Sequence, residues 1–177
     1  VKGLLQSNSA GATKLMDFLD EQRMCRLYEK FILEYYRKEL PEIKANASQI
    51  PWQLDDDFGA KLPVMQSDIM LSKGSTTLII DAKYYSRTTQ SQYGVNTLHS
   101  GNLYQIFTYV KNKDAEYGDE PHTVSGMLLY AQTDEVVQPN HVYQMSGNQI
   151  SVRTLNLNLP FEEIKTQLDG IVETHFK

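Results

Sequence analysis

The 177-residue sequence has one cysteine, Cys25, and a single tryptophan. One thiol excludes an intrachain disulfide and any cysteine-built zinc cluster, and it points to a reducing cytoplasm. The four histidines, His99, His122, His141 and His175, are scattered along the chain, so a bound metal would have to be held mainly by oxygen. No stretch approaches the ~20 apolar residues that a membrane span requires, and the first residues lack the apolar core of a signal peptide. An excess of positive charge is also missing: 17 Lys and Arg stand against 22 Asp and Glu, a net charge of −5. That balance excludes a protein that grips nucleic acid by bulk electrostatics alone. A glycine-rich loop ending in Gly-Lys-Ser/Thr is absent too, which speaks against nucleotide binding.

What is present suits one domain with an ordinary core, since 41% of the residues are hydrophobic. Because the chain opens on Val1 and runs at once into a helical pattern, we expect a C-terminal fragment of a longer protein, with residues 1–12 as linker or the end of a preceding element. Helical spacing of Leu15, Phe18, Leu19, Leu27, Phe31 and Tyr35 predicts one long helix or two abutting ones over residues 13–40, stopped by Pro41. Strand character follows at residues 47–54, 64–71 and 76–85, the last two joined by Ser72-Lys73-Gly74-Ser75 as a hairpin. Residues 86–100 are polar and read as a long loop. A helix over 102–113, a strand over 124–131, a hairpin turning at Gly147-Asn148 and a helix with Pro160 in its first turn complete the chain. The order implies an α/β fold with a central mixed sheet flanked by helices.

Chemistry concentrates in the third strand, Leu78-Ile79-Ile80-Asp81-Ala82-Lys83-Tyr84-Tyr85. Alternation puts Asp81 and Lys83 on one face. A two-residue turn at Lys73-Gly74, or a four-residue turn over Ser72 to Ser75, pairs residue 68 with residue 79 and sets Asp68 diagonal to Asp81 on that face. A three-residue loop would reverse the parity. Two carboxylates that close repel unless one is protonated or a cation lies between them. Hard oxygen ligands fit Mg²⁺, with Mn²⁺ as a substitute, and Lys83 is placed to orient water or stabilise developing charge. An Asp-x-Lys triplet by itself more often marks a solvated strand face. The apolar run around Asp81 makes the difference here, because an unpaired carboxylate in a central strand is costly.

This pattern, an acid on one strand, Asp-x-Lys on the next and a glutamate on the preceding helix, resembles the PD-(D/E)xK nuclease superfamily. Longer runs, Arg26-Leu27-Tyr28-Glu29-Lys30-Phe31, Leu62-Pro63-Val64-Met65-Gln66-Ser67-Asp68-Ile69 and Asn102-Leu103-Tyr104-Gln105-Ile106-Phe107-Thr108-Tyr109-Val110, resemble the McrC family, the cleavage subunits of modification-dependent restriction systems. The resemblance implies a restriction-endonuclease-like fold and a Mg²⁺-dependent DNA endonuclease in which Asp68, Asp81 and Lys83 are catalytic. It also implies that Asp68, Asp81, the Ala82 carbonyl and, through water, Glu29 hold the metal. The family's first acid often follows a proline directly, whereas Pro63 lies five positions before Asp68. Gln105 and Tyr109 match the Gln-x-x-x-Tyr motif found beside such sites, and they share a helix face. Arg87 and His99, with Gln92, Tyr93 and Asn96, give the 86–100 segment the composition of a sugar-phosphate contact. Lys111 and Lys113 are further phosphate candidates, and Trp52 reads as core. Implied partners are DNA carrying methylated cytosine, a AAA+ GTP-hydrolysing motor resembling McrB, and a second nuclease domain for double-strand breaks. The competing reading is a catalytically silent nuclease-fold module that docks DNA or the motor.

Overall fold

The computed structural model describes residues 9–56, 58–85, 89–92, 95–136 and 138–177, and side chains except those of 9–18 and 89–97. Helix α1 spans Ser9–Glu39, so it is one continuous helix that already covers positions 9–12, expected to lie before it. Arg37 and Lys38 occupy its last turn, where cations complement the helix dipole, and Pro41 follows.

Strands β1 (Lys44–Asn46) and β2 (Gln49–Ile50) replace the single strand expected over 47–54. Pro51 offers no N–H to prolong β2, and Ser48 is tied to Ser67 through both backbone and hydroxyl bonds, which swings the chain between two sheets. The expected strand over 64–71 is likewise split, into β3 (Met65–Gln66) paired with β2 and β4 (Ile69–Lys73) paired with β1 and β5 (Thr76–Lys83). Residues 86–100, read as a loop, contain the antiparallel strands β6 (Thr89–Gln92) and β7 (Val95–Leu98). These strands are almost wholly polar, so they carry no apolar alternation by which sequence could reveal them.

Helix α2 (Ser100–Glu116) crosses back to β8 (Thr123–Ala131), which runs parallel to β5. Strands β9 (His141–Met145) and β10 (Asn148–Leu155) form the second hairpin, and α3 (Phe161–His175) closes the fold. That hairpin turns at Ser146-Gly147, one residue earlier than expected. Asn148 is drawn into the strand by side-chain bonds to the Val124 carbonyl and to Asp114. The main sheet has the order β1-β4-β5-β8-β10-β9, with β5, β8 and β10 mutually parallel and the other pairs antiparallel. It is the expected mixed sheet.

One face of this sheet, carrying Ile69, Leu71, Leu78, Ile80, Met127 and Leu129, packs with α1 and α3. The other, carrying Met70, Ile79, Val124, Leu128 and Tyr130, packs with Ile106, Tyr109 and Val110 of α2. Strand β5 is therefore covered on both sides, and Asp81 lies inside a two-sided core. The α2 layer is held close by Gly126. A Cβ there would stand 2.7 Å from Val110 Cγ2 and 2.8 Å from Ile106 Cγ1. Gly126→Val is expected to cost about 1–3 kcal/mol through overpacking, a fall of roughly 3–10 °C in melting temperature. An unchanged melt would contradict this close seating.

Candidate active site

The β4–β5 turn is Gly74-Ser75, with Gly74 at φ +58°, the conformation that the first central position of a type II′ hairpin turn demands. Lys73 pairs with Thr76, and the register continues to Ile69 opposite Ile80. Extended by one step, Asp68 stands directly opposite Asp81 rather than diagonal to it. The expected pairing was two residues out of step, but an even shift preserves the face.

The ladder ends at that point. Ala82 would next face residue 67 across an antiparallel pair, but the Ser67 N–H bonds the Ser48 carbonyl, and the Ala82 N–H donates instead to Asp68 Oδ2 at 2.9 Å. Asp68 thus substitutes its carboxylate for a missing strand. Because the N–H and C=O of one residue leave a strand by the same edge, the Ala82 carbonyl points out on the Asp68 side.

Asp81 is 1% exposed. Lys83 Nζ lies 2.9 Å from Oδ1 along a hydrogen-bond direction and 2.8 Å from Oδ2 off that direction. Oδ2 is therefore ion-paired yet accepts no hydrogen bond from the described residues. Burial pushes the Asp81 carboxyl up to about 7, with Lys83 opposing the shift and Asp68 adding to it as a like charge. Burial works against a charged Lys83, but Asp81 overrides it and raises the ammonium pKa, with Asp68 contributing. Lys83 is consequently a cation at neutral pH and cannot serve there as a general base.

Glu29 approaches from α1. Its carboxyl is raised by burial and then by Asp68, while Lys83 and Arg26 pull it down. Those couplings bring it to the edge of the site. Among the described residues, no three His, Cys, Asp or Glu side chains form a metal-holding group, and the carboxylate that acts on Asp81 as a like charge is Asp68. That suits Mg²⁺, which commonly takes one or two carboxylates and fills its other positions with water and phosphate oxygen. A buried oxygen without a hydrogen bond, opposite a second carboxylate, is the kind of donor set a hard cation fits.

Gln105 and Tyr109 do share a face of α2: Gln105 Nε2 donates to the Tyr109 hydroxyl at 2.9 Å, and Tyr109 is buried in the α2 layer. His99 sits at the N-cap of α2 with its ring 5.3 Å from that of Tyr85. Arg87 lies outside the described residues, as does Tyr93. Sequence reasoning gave no role to Asn102 or Tyr130. Asn102 Nδ2 donates to the Tyr130 hydroxyl at 3.0 Å, and the Tyr85 hydroxyl reaches Asn102 Oδ1 at 3.4 Å, so this trio ties the first turn of α2 to β8 and to the end of β5. Tyr130 pairs in register with Lys83. No local pattern marks the trio, because its bonds join positions 17 and 28 apart in sequence. Lys111 bonds Asp114, the Ser146 carbonyl and Asn148, while Lys113 pairs with Glu116 and lies over the Tyr117 ring. Both serve the far end of α2 from the site. Trp52 packs against the α2-side core and donates to the Pro63 carbonyl at 2.7 Å. No helix of the described residues is long and apolar enough to cross a membrane.

The fold and the sequence that carry this arrangement can be set against known proteins. The chain is similar to a solved Thermococcus gammatolerans assembly described as McrB AAA+ hexamers with bound McrC, with a TM-score of 0.54 at 16% identity. That likeness covers 85% of this chain and 33% of the other, and it shows the fold. It is also similar to the type IV methyl-directed restriction enzyme EcoKMcrBC of Escherichia coli K12, 30% identical over the whole of this chain. The chain spans about half, 51%, of that relative's length. A family profile described as McrBC 5-methylcytosine restriction system component matches residues 2–131, from α1 to the end of β8 and so across every acid of the site and its lysine. On that profile match, the chain belongs to the McrBC family of 5-methylcytosine restriction system components.

Proposed function

We propose that this chain is the DNA-cleaving domain of its restriction system, a Mg²⁺-dependent endonuclease that hydrolyses phosphodiester bonds. The observation that carries the reading is Asp81, almost fully buried, salt-bridged to Lys83 and set opposite Asp68 where the β4–β5 ladder ends. A buried acid–lysine pair beside a second carboxylate has no structural necessity in a strand this apolar, and such perturbed groups cluster at functional sites.

Asp68, Asp81 and the Ala82 carbonyl would hold the ion, with Glu29 acting through water. When bound, the ion supplies Lewis acidity that neutralises charge developing on the phosphoryl oxygens. The chain's own residues do the rest. Lys83 keeps its proton and donates from Nζ, orienting the attacking water and stabilising negative charge in the transition state. The Ala82–Asp68 bond locks the first acid in place. Tyr109 and Gln105 brace the α2 side, and the Asn102–Tyr130–Tyr85 trio fixes where that helix begins. His99 and Arg87 are the candidates for backbone contact beyond the site.

The acidic charge of the chain suits a nuclease brought to DNA by a partner. We assign that role to a AAA+ motor like the one in the Thermococcus assembly, and a double-strand break would need two copies of this domain. The deciding test is Mn²⁺ and Mg²⁺ titration by calorimetry, together with nicking of supercoiled plasmid. Binding of about one to two ions per chain and EDTA-sensitive nicking are expected. Absence of metal binding even with DNA present would instead support a silent docking module.

A further inference from the structure

The motif around Glu29 contains two cations that the site does not use. Cys25 Sγ donates to the Tyr84 carbonyl at 3.3 Å, and Tyr28, Ile32 and Tyr36 face the core, which fixes the rotation of α1 on the sheet. Glu29 acts on Asp68 and Lys83 as well as on Cys25, so its flank of the helix is the catalytic side. Counting about 100° per residue from Glu29, Arg26 lies about 60° further round, Lys30 about 100° and Arg23 about 120°, all in the same direction. The three are exposed. Neighbours at i+3 and i+4 line up on a helix, so they form one stripe beside the site. The apolar residues Met24, Leu27 and Phe31 lie further round, bordering Leu157.

Few intramolecular bonds occupy this stripe. Among the described residues, Lys30 and Arg26 make no salt bridge, Arg26 acts on the nearby Glu29 carboxyl, and Arg23 holds Asp20 at 3.4 Å in a pair that is 78% and 64% exposed. An exposed pair of that kind is weak and yields readily to a competing anion. From Arg23 to Lys30 the helix rises about 10 Å, enough to follow about three phosphates at ~3.4 Å of axis rise each. In a chain with a net charge of −5, an outward cationic stripe next to the buried Asp81 and the half-buried Asp68 is a local reversal of sign.

We propose that Arg23, Arg26 and Lys30 form a phosphate track that holds the sugar-phosphate backbone of DNA alongside the scissile bond. The proposal rests on the nuclease reading and deepens it by naming where the substrate lies. The track reads charge and spacing, so it binds without regard to sequence or cytosine methylation.

The test is fluorescence anisotropy with a short labelled duplex in EDTA across a salt series, comparing the wild type with R26A/K30A and with K38A. Lys38 is exposed and lies about 180° round α1 from Glu29. R26A/K30A is expected to weaken binding equally for methylated and unmethylated duplexes and to reduce the salt slope by about 2, near 1 per lost contact. K38A should leave the slope unchanged. An unchanged slope in R26A/K30A, an equal change in K38A, or no measurable binding by the wild type at low salt would overturn the track. Because metal-free binding is read separately from nicking, cleavage without the slope change discards the track alone. Loss of metal binding and nicking in the wild type discards the nuclease reading.

Discussion

Asp81→Ala is expected to abolish divalent-ion binding in the calorimeter and plasmid nicking with it. Losing an outer partner of a metal ligand typically costs about 10–100-fold in affinity, so loss of a ligand itself should exceed about hundredfold. The same residue makes the metal effect pH-dependent, and its direction follows from the raised pKa. Asp81 titrates near 7 in the fold and near 3.8 when unfolded, so between those values the metal-free fold holds a proton that the unfolded chain has released. Stability contributed by this group therefore falls as pH rises from about 4 to about 7. Glu29, also raised, adds to the same slope. A cation that requires the ionised carboxylate competes with that proton. Stabilisation by Mn²⁺ in thermal melts should thus be small at pH 6 and larger at pH 8, and Asp81→Asn should lose this metal-dependent difference. Equal stabilisation by Mn²⁺ in wild type and Asp81→Asn at pH 8 would remove Asp81 from the metal site.

Lys83→Ala should separate binding from chemistry. The two carboxylates remain, so Mn²⁺ is still bound, but single-turnover nicking at saturating metal should fall by about 10²–10³-fold, the usual cost of deleting a preorganised donor aimed at developing charge. A second effect accompanies it. Lys83 is the group that holds the Asp81 pKa down, so its removal moves the pH midpoint for metal binding upward. Lys83→Arg keeps the charge and should restore much of that midpoint. It should not restore the rate, because a planar guanidinium presents its donors in a different geometry. If Lys83→Ala nicked at the wild-type rate, the lysine would be a structural counter-ion to Asp81 and nothing more.

How much of this was legible in advance differs element by element. The helix carrying Glu29 and Tyr35 was readable because its apolar residues repeat at helical spacing and Pro41 ends it. Strand β5 was readable because Leu78, Ile79 and Ile80 stand together in a stretch without Gly or Pro, which points to a central strand, and alternation alone put Asp81 and Lys83 together. Asp68 reached the correct face only because the register error was an even number of residues. The hairpin β6–β7 was not legible, since β6 has no apolar residue and the two in β7, Val95 and Leu98, are three apart and so fall on opposite faces. Asn102 and Tyr130 escaped for another reason: their bond joins positions 28 apart, and nothing local in either stretch records it.

The sequence by itself determined the element types of the long helices and the central strands, the pairing of an acid and a lysine on one strand face, and the exclusion of thiol metal sites. Each of those depends on the local period or on residue chemistry. Only the tertiary structure decided that Asp68 caps the Ala82 N–H, that burial lifts Asp81 toward neutrality, and which flank of α1 meets the site. Those properties arise where chain segments far apart in sequence meet, because desolvation and charge coupling depend on what surrounds a group in space.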